Sequence, residues 1–543
     1  MFRKLAGKKL TTLLFVALFV LFPIGFYISA KSSDYLSMSM LPLFYVWLDY
    51  VFFAVVGLLC ASFAVYKFFS NREHVNKEMF LMMAKIGIVI YSIFLFSITI
   101  SRYNQYVSEV IDVFYYHKVV WQISEFKIPL YSFLPPLFAW GDHFEPILFL
   151  IAPIYWLTQN AQILMIVQAL TALSGAIPIY LIGKHFIKSR FLGIALGFSY
   201  LMFGGFQFGF AYGFHPIVLF PTIFLWFYFF YKKKQYVFYL LFLLLSLCVK
   251  EEVSFVMIFW GIYVLISKRD IKYALPPIFA GIFWYILCFH IIFPHFSNGG
   301  FVHWGQYGGG GLGGLANQLI FHPISFLTTL VTPNYKIDTI FHIFGSFGFL
   351  LLLAPQTLII IIPSLMVKLL SSNLAGSNGA HYSAAITGVM VVSTFETVQY
   401  LLKKRKFGKI KISAPFICCY LIYVAVCSNL IFGYWGYSLF LKETKYSLPD
   451  LVIITMNETI ETIPKKATVA AQYQIVPHMN KHYKDIDVWP QKNTKADYIL
   501  LNAYFPPVLV QPEVMNSELE KLNKNKKYEL IVNKNGTILF KKK

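Results

Sequence analysis

Charge is what this sequence has least of: 13% of its 543 residues are Asp, Glu, Lys or Arg, against 58% from the hydrophobic set, with a mean hydropathy of +0.62. A soluble globular chain carries about a quarter charged residues, so that class is excluded. Acidic residues are scarcer than basic ones, 25 against 46, for a formal net charge of +21. In a soluble protein that balance points to nucleic acid; here the basic residues belong beside a bilayer, and no nucleic-acid partner is expected. Disorder is excluded by 56 Phe and 36 Tyr, far more buriable surface than a disordered chain holds. The six cysteines, Cys60, Cys248, Cys288, Cys418, Cys419 and Cys427, all lie in apolar runs and read as packing residues. Neither C-x-x-C nor H-E-x-x-H occurs, which argues against a zinc or thiol-redox protein.

What is present is a series of apolar segments, and the expected fold class is a polytopic α-helical membrane protein with a small C-terminal α/β domain. Crossing about 30 Å of hydrocarbon takes roughly 20 apolar residues. On that basis about thirteen transmembrane helices are expected, near residues 11–29, 43–66, 79–100, 161–182, 191–212, 217–231, 236–249, 253–267, 273–293, 339–353, 357–370, 383–402 and 413–432. The first reads as a retained signal anchor. Lys and Arg cluster in alternate connections, from the N-terminus through Lys184–Arg190, Lys232–Lys234, Lys268–Lys272 and Lys403–Lys411, which hold with Lys67–Lys77 22 of the 46 basic residues. By the positive-inside rule the N-terminus is cytoplasmic. Three parts follow: an N-terminal two-helix addition (1–78), a transmembrane core (79–440) with long outer loops at 101–160 and 294–338, and a soluble extracytoplasmic domain (441–543). The last holds 16 Lys+Arg and 11 Asp+Glu, and its short apolar runs at 467–471, 498–501, 528–532 and 537–540 suggest strands.

Ionisable residues gather on the expected outer side: Glu109, Asp112, Glu125, Asp142, Glu145, Glu251, Glu252 and Asp338, with His117, His143, His215, His295, His303, His322 and His381. Such groups at a membrane face are a functional hypothesis, although an aqueous loop carries polar residues in any case. Asp142 is a candidate catalytic residue and is equally suited to capping an interfacial helix that follows it, whereas Asp112, the other catalytic candidate, has no obvious structural task. In GFHP (213–216) His215 sits beside a proline-restricted turn, as a turn histidine or a substrate contact. Lys250, Glu251 and Glu252 interrupt a long apolar stretch and must mark an outer turn. A mixed-sign turn there suits a phosphate-bearing headgroup, and internal pairing of Lys250 with a Glu is the alternative. The glycine tract at 308–314 lacks a P-loop ending and reads as a mobile loop or lid, with His303, Trp304 and Tyr307 able to stack on a sugar or isoprenoid. His381 and Tyr382 lie in another short polar loop.

These motifs carry a resemblance. Asp112 and Trp121 in D-x8-W, GDHFEPILFLIAPIYWL, FHP, VKEEV, IIPSLMVKLLSSN with HYSA, VAAQYQIVPHMN and ADYILLNAY occur in order over about residues 100–505. The set resembles the prokaryotic predicted membrane proteins of domain of unknown function 2079, and through them the GT-C superfamily of polytopic glycosyltransferases, which includes protein O-mannosyltransferases and aminoarabinose transferases. The resemblance implies a GT-C-like fold and a polyprenyl-phosphate sugar as donor. Asp112 then stands as base, Asp142 and His143 form a second acidic motif, and Lys250 and Glu251 make the donor phosphate site. His215, His381, Tyr382 and Trp121 join the substrate-binding candidates, and Glu251 and His303 are candidate ligands for a divalent cation. The family's FDLGIFDQALW motif is altered here to Phe114, His117 and Lys118 at three positions, which implies a different substrate or an inactive member. The expected partners are the lipid bilayer, the lipid-linked donor and a glycan, lipid or protein acceptor, with tail and site facing outward from the cytoplasmic membrane. A transporter or flippase of a lipid-linked or anionic substrate is the main rival, with Asp49, Lys85 and Lys368 as its mid-span charges; a non-catalytic scaffold is the third reading.

Overall fold

Apolar runs bounded by lysines become helices, and the computed structural model is mostly helical with a small C-terminal sheet. It describes residues 77–106, 110–130, 138–297, 299–307, 310–372, 381–404, 406–407, 410–432, 450–479, 486–490, 495–505 and 512–543. The two spans expected before residue 77, together with Asp49 and Glu109, lie outside the described residues.

The expectation of about thirteen spans does not hold. Among the described residues four helices are long and apolar enough to cross a membrane: Leu81–Asn104, Gln162–Ile187, Ile271–Phe296 and Ala384–Lys404. A fifth is formed if Arg190–Met202 and Gly204–Tyr212, bent by 52° at Phe203, make one broken span. Tyr236–Leu247, Val253–Lys268, Pro355–Leu370 and Ala414–Asn429 are apolar but shorter. The segment expected at 339–353 splits into Tyr335–Gly345 and a 3-10 turn, Leu350–Leu353. Hydropathy cannot tell burial in lipid from burial in protein. In Phe220–Lys233, for example, Phe220, Phe224, Phe227 and Tyr228 are fully enclosed by neighbouring helices.

Close backbone approach holds the bundle together. A Cβ on Gly388 would lie 2.9 Å from the Pro221 Cα, and one on Gly183 would lie 2.4 Å from the Gly193 Cα. Only glycine lets those helix pairs touch. At the lysine-bearing end, Glu396 is buried inside Ala384–Lys404 and receives hydrogen bonds from Tyr228, Tyr263, Lys232 and Lys268. The sequence reading overlooked this buried carboxylate.

The C-terminal sheet contains β1 (Val469–Ala471), β2 (Ile486–Val488), β3 (Tyr498–Asn502), β4 (Tyr528–Lys534) and β5 (Thr537–Lys542), in the order β2-β1-β3-β5-β4. β1 pairs parallel with β2 and β3; β5 runs antiparallel to β3 and β4. All four strands expected there are present, and β2 is additional. The sheet docks on the helical part through His478, whose ring stacks between Tyr103 and Tyr106 at 4.3 and 3.8 Å. The Tyr103 hydroxyl donates to the Pro477 carbonyl at 3.0 Å, and Phe114 packs into the sheet's apolar cluster. The helix Val110–Ser124, which carries Asp112, is thereby clamped between bundle and sheet.

Candidate functional site

At the end of the bundle away from Glu396, chain breaks between helices converge. Asp112 sits in the first turn of Val110–Ser124, where the helix dipole favours a carboxylate. The four-residue helix Ala139–Asp142 presents Asp142 and His143. A backbone bond from Ile147 N to Cys248 O, 2.8 Å long, ties that segment to the turn carrying Lys250, Glu251 and Glu252. The Gly213–His215 turn is fixed by Gln168, whose amide donates to Gly213 O and whose carbonyl accepts from His215 N, both at 2.7 Å. His381 and Tyr382 open the turn before Ala384–Lys404, and Lys368 comes from the last turn of Leu358–Leu370.

Together these segments enclose a cavity of about 230 Å³ lined by Asp112, Tyr115, Tyr116, Asp142, His143, His215, Lys250, Glu251, Glu252, His303, Gln306, Tyr307, Lys368, His381 and Tyr382 among others. Beside it runs an apolar groove of about 220 Å³ lined by Phe255, Phe259, Phe289, Trp304, Leu312, Leu315, Ile362, Met366 and Leu370. Glu251, Glu252, Phe301, Tyr307 and Val367 form the shared wall.

The polar groups are ordered by their partners. Glu251, 2% exposed, accepts from His143 Nδ1 at 2.8 Å and from the Phe144 backbone N–H at 3.3 Å. Burial and the Lys250 charge oppose protonation of His143, but Glu251 and Asp142 outweigh them and raise its pKa to about 9. Burial likewise opposes ionisation of Asp142, yet the His143 charge and the His303 hydrogen bond at 2.7 Å bring it down to about 2. Glu145 is pushed up to about 7 by burial, and accepts from the Tyr116 hydroxyl at 3.0 Å. His215 and His381 are both held low, by burial first, and stack with centroids 3.4 Å apart. Lys250 makes no ion pair with any described residue. The acidic residues around it, Glu252 foremost, outweigh its burial and keep it charged. It is a cation facing the cavity, surrounded by carboxylates but in direct contact with none of them among the described residues.

Of the residues singled out in the sequence, Asp112, Asp142, His143, His215, Lys250, Glu251, His303, His381 and Tyr382 are brought together. Trp121 is not: it lies about two and a half helical turns from Asp112, on the opposite face, and is buried away from the cavity under the Lys127 ammonium. Asp142 caps no helix, since it ends Ala139–Asp142 and the next helix, Leu148–Ile151, begins after Ile147 without a side-chain cap. Among the described residues two three-residue groups bring ligand atoms within 4.8 Å of one another, Asp112/His215/His381 and Asp142/His143/His303. His303 belongs to the second and Glu251 to neither. Around the glycine tract, whose residues 308–309 lie outside the described residues, the chain forms the turn Val302–Tyr307 and the helices Gly311–Phe321 and Pro323–Thr329. Tyr115, Tyr116 and Gln306 were missed, and Lys368 was read as a mid-span charge. An aromatic residue in a Tyr-rich chain gives no local signal, but a lysine within three residues of a helix end does.

A family model described as a predicted membrane protein (DUF2079) matches residues 112–539. The chain belongs to that family. The DUF2079 match takes in every residue lining the cavity and four strands of the sheet, and ends within the fifth, β5. It assigns no activity. No curated protein matches the chain.

Proposed function

We propose that this DUF2079 protein is a membrane glycosyltransferase of GT-C type that transfers a sugar from a polyprenyl-phosphate donor to an acceptor at the outer face of the cytoplasmic membrane, with inversion. The observation that carries this reading is the pairing of a polar cavity, which Lys250 faces without a direct ion-pair partner among the described residues, with an adjoining aromatic and aliphatic groove. An amphipathic lipid phosphate needs that combination: the isoprenoid lies along Phe289, Trp304 and Leu312 while phosphate and sugar enter among the charged residues. Orientation follows from the lysine-rich loops at the opposite end of the bundle.

In this mechanism Asp112, about one-third exposed at the cavity wall, takes the proton from the acceptor hydroxyl. The hydroxyl oxygen attacks the anomeric carbon from the face opposite the phosphate. The bond from that carbon to the phosphate oxygen breaks, its electron pair stays with the departing lipid phosphate, and Lys250 stabilises the charge. Asp142 is held by its hydrogen bond with His303 and positions the polar wall, and Glu251 positions His143. A flippase needs a polar route along the bundle. Between the cavity and Glu396, Phe220, Phe224, Phe227 and Trp260 are fully buried against one another, which favours chemistry at one face over passage.

The test is sugar release and transfer from radiolabelled polyprenyl-phosphate sugars by purified protein. Loss of turnover in Asp112→Asn with donor binding kept, and loss of donor binding in Lys250→Ala, are the expected results. Donor binding without turnover in wild type would move the reading to a transporter or scaffold.

A further inference from the structure

Three of the cavity's side chains have a relation that hydrogen bonding does not explain. His215 and His381 are 4% and 7% exposed, and each keeps a buried ring nitrogen, Nε2 and Nδ1 respectively, without a hydrogen-bond partner among the described residues. Buried polar atoms in that condition are uncommon and call for a physical account. His215 Nε2 lies 3.1 Å from Asp112 Oδ2, close but out of line for a hydrogen bond. Ligand atoms of Asp112, His215 and His381 all lie within 4.8 Å of one another.

We propose that Asp112, His215 and His381 form a binding site for a borderline divalent transition-metal ion of the Zn²⁺ type, with its remaining coordination open to the cavity. Two imidazoles and one carboxylate select such an ion, because Mg²⁺ and Ca²⁺ sites are built of oxygen. Metal–ligand bonds of about 2.1 Å in tetrahedral geometry set ligand atoms roughly 3.4 Å apart, so the longest edge of the set closes by at most about 1.4 Å on binding. The three residues come from separate parts of the chain, which is why no linear zinc motif announces them. His215 is oriented by the Gln168 clasp on its backbone, and His381 is sandwiched between the His215 and Tyr382 rings. The neighbouring Asp142/His143/His303 group is the weaker candidate. There His143 Nδ1 is committed to Glu251 and His303 Nε2 to Asp142, so binding an ion would break two existing hydrogen bonds.

What the ion would do rests on the transferase reading: held by one oxygen of Asp112, it would supply Lewis acidity to the acceptor hydroxyl, whose proton the other Asp112 oxygen takes. Binding itself does not depend on that reading and is measured without donor or turnover. Full-length protein carrying no histidine tag is stripped with chelator and titrated with Co²⁺ and Zn²⁺. Visible Co²⁺ absorption and calorimetry give stoichiometry and affinity, and circular dichroism and gel filtration check the fold. We expect one ion per chain, no competition from excess Mg²⁺, affinity lowered more than about 100-fold in His381→Ala and in the milder His381→Gln, and wild-type affinity in His303→Ala. The proposal is overturned if wild type binds no Co²⁺, if both folded His381 variants bind as wild type does, or if His303→Ala is the variant that loses the ion. A metal bound without any turnover would leave this site standing and remove the transferase reading alone.

Discussion

Replacing Glu251 by Gln removes the anionic half of the buried pair with His143 while keeping one oxygen to accept a hydrogen bond. His143 has its pKa raised from 6.5 to about 9 in the folded protein. A raised histidine pKa contributes stability that is fully present below the unfolded value and is lost as pH rises through the folded one. At 1.36 kcal/mol per pKa unit the contribution is about 3 kcal/mol near pH 6.5, about 2 kcal/mol near pH 7.5, and close to zero by about pH 10. Burial opposes ionisation of Glu251, but the His143 charge and hydrogen bond together with the Lys250 charge outweigh it and hold its pKa below the usual value. Glu145, near 7, has largely finished titrating by about pH 8. The stability difference between wild type and Glu251→Gln therefore shrinks by about 2 kcal/mol between about pH 7.5 and 10. Unfolding in detergent, followed by the reaction of buried cysteines such as Cys288 and Cys418 with a thiol dye, measures it. A difference that stays flat with pH would refute the argument, since the pair would then carry no proton-linked energy.

Three further outcomes are expected. Lys250→Met should weaken binding of a lipid phosphate by about 10- to 100-fold, the worth of a charge-assisted contact, with Lys250→Arg retaining most of it; a binding titration with polyprenyl phosphate reads both. Glu396→Leu leaves Lys232 and Lys268 facing a buried site without their shared carboxylate and should cost about 3–5 kcal/mol of stability, measured by detergent unfolding, while donor affinity measured at the far end of the bundle stays unchanged in the folded fraction. Gly388→Ala drives a methyl into the Pro221 backbone, which cannot yield as a side chain would, and should destabilise by about 1–3 kcal/mol in the same assay.

Much of this protein is legible in its sequence because local chemistry dictates it. Apolar runs ending in lysine pairs had to be helices, and nearly every expected segment after residue 77 is one. The short apolar runs of the tail, separated by polar turns, read as strands and are strands. Lys250, Glu251 and Glu252 had to break the apolar stretch, because such a triplet cannot lie in hydrocarbon. Asp112 was marked as an acidic residue without a structural task and by the family resemblance, and His215 by its proline-restricted turn. Tertiary structure decided the rest. The number of spans depends on whether an apolar helix meets lipid or protein, and Phe220–Lys233 reads the same in either setting. Trp121 and Asp112 share a motif but sit on opposite helix faces. Glu251, expected at a donor phosphate, is occupied by His143, a partner 108 residues away. The groove beside the cavity and the convergence of Asp112, His215 and His381 exist only because helix ends meet at one end of the bundle. Periodicity and charge act over a few residues and can be read along the chain; which side chains face one another is set by packing between segments more than a hundred residues apart.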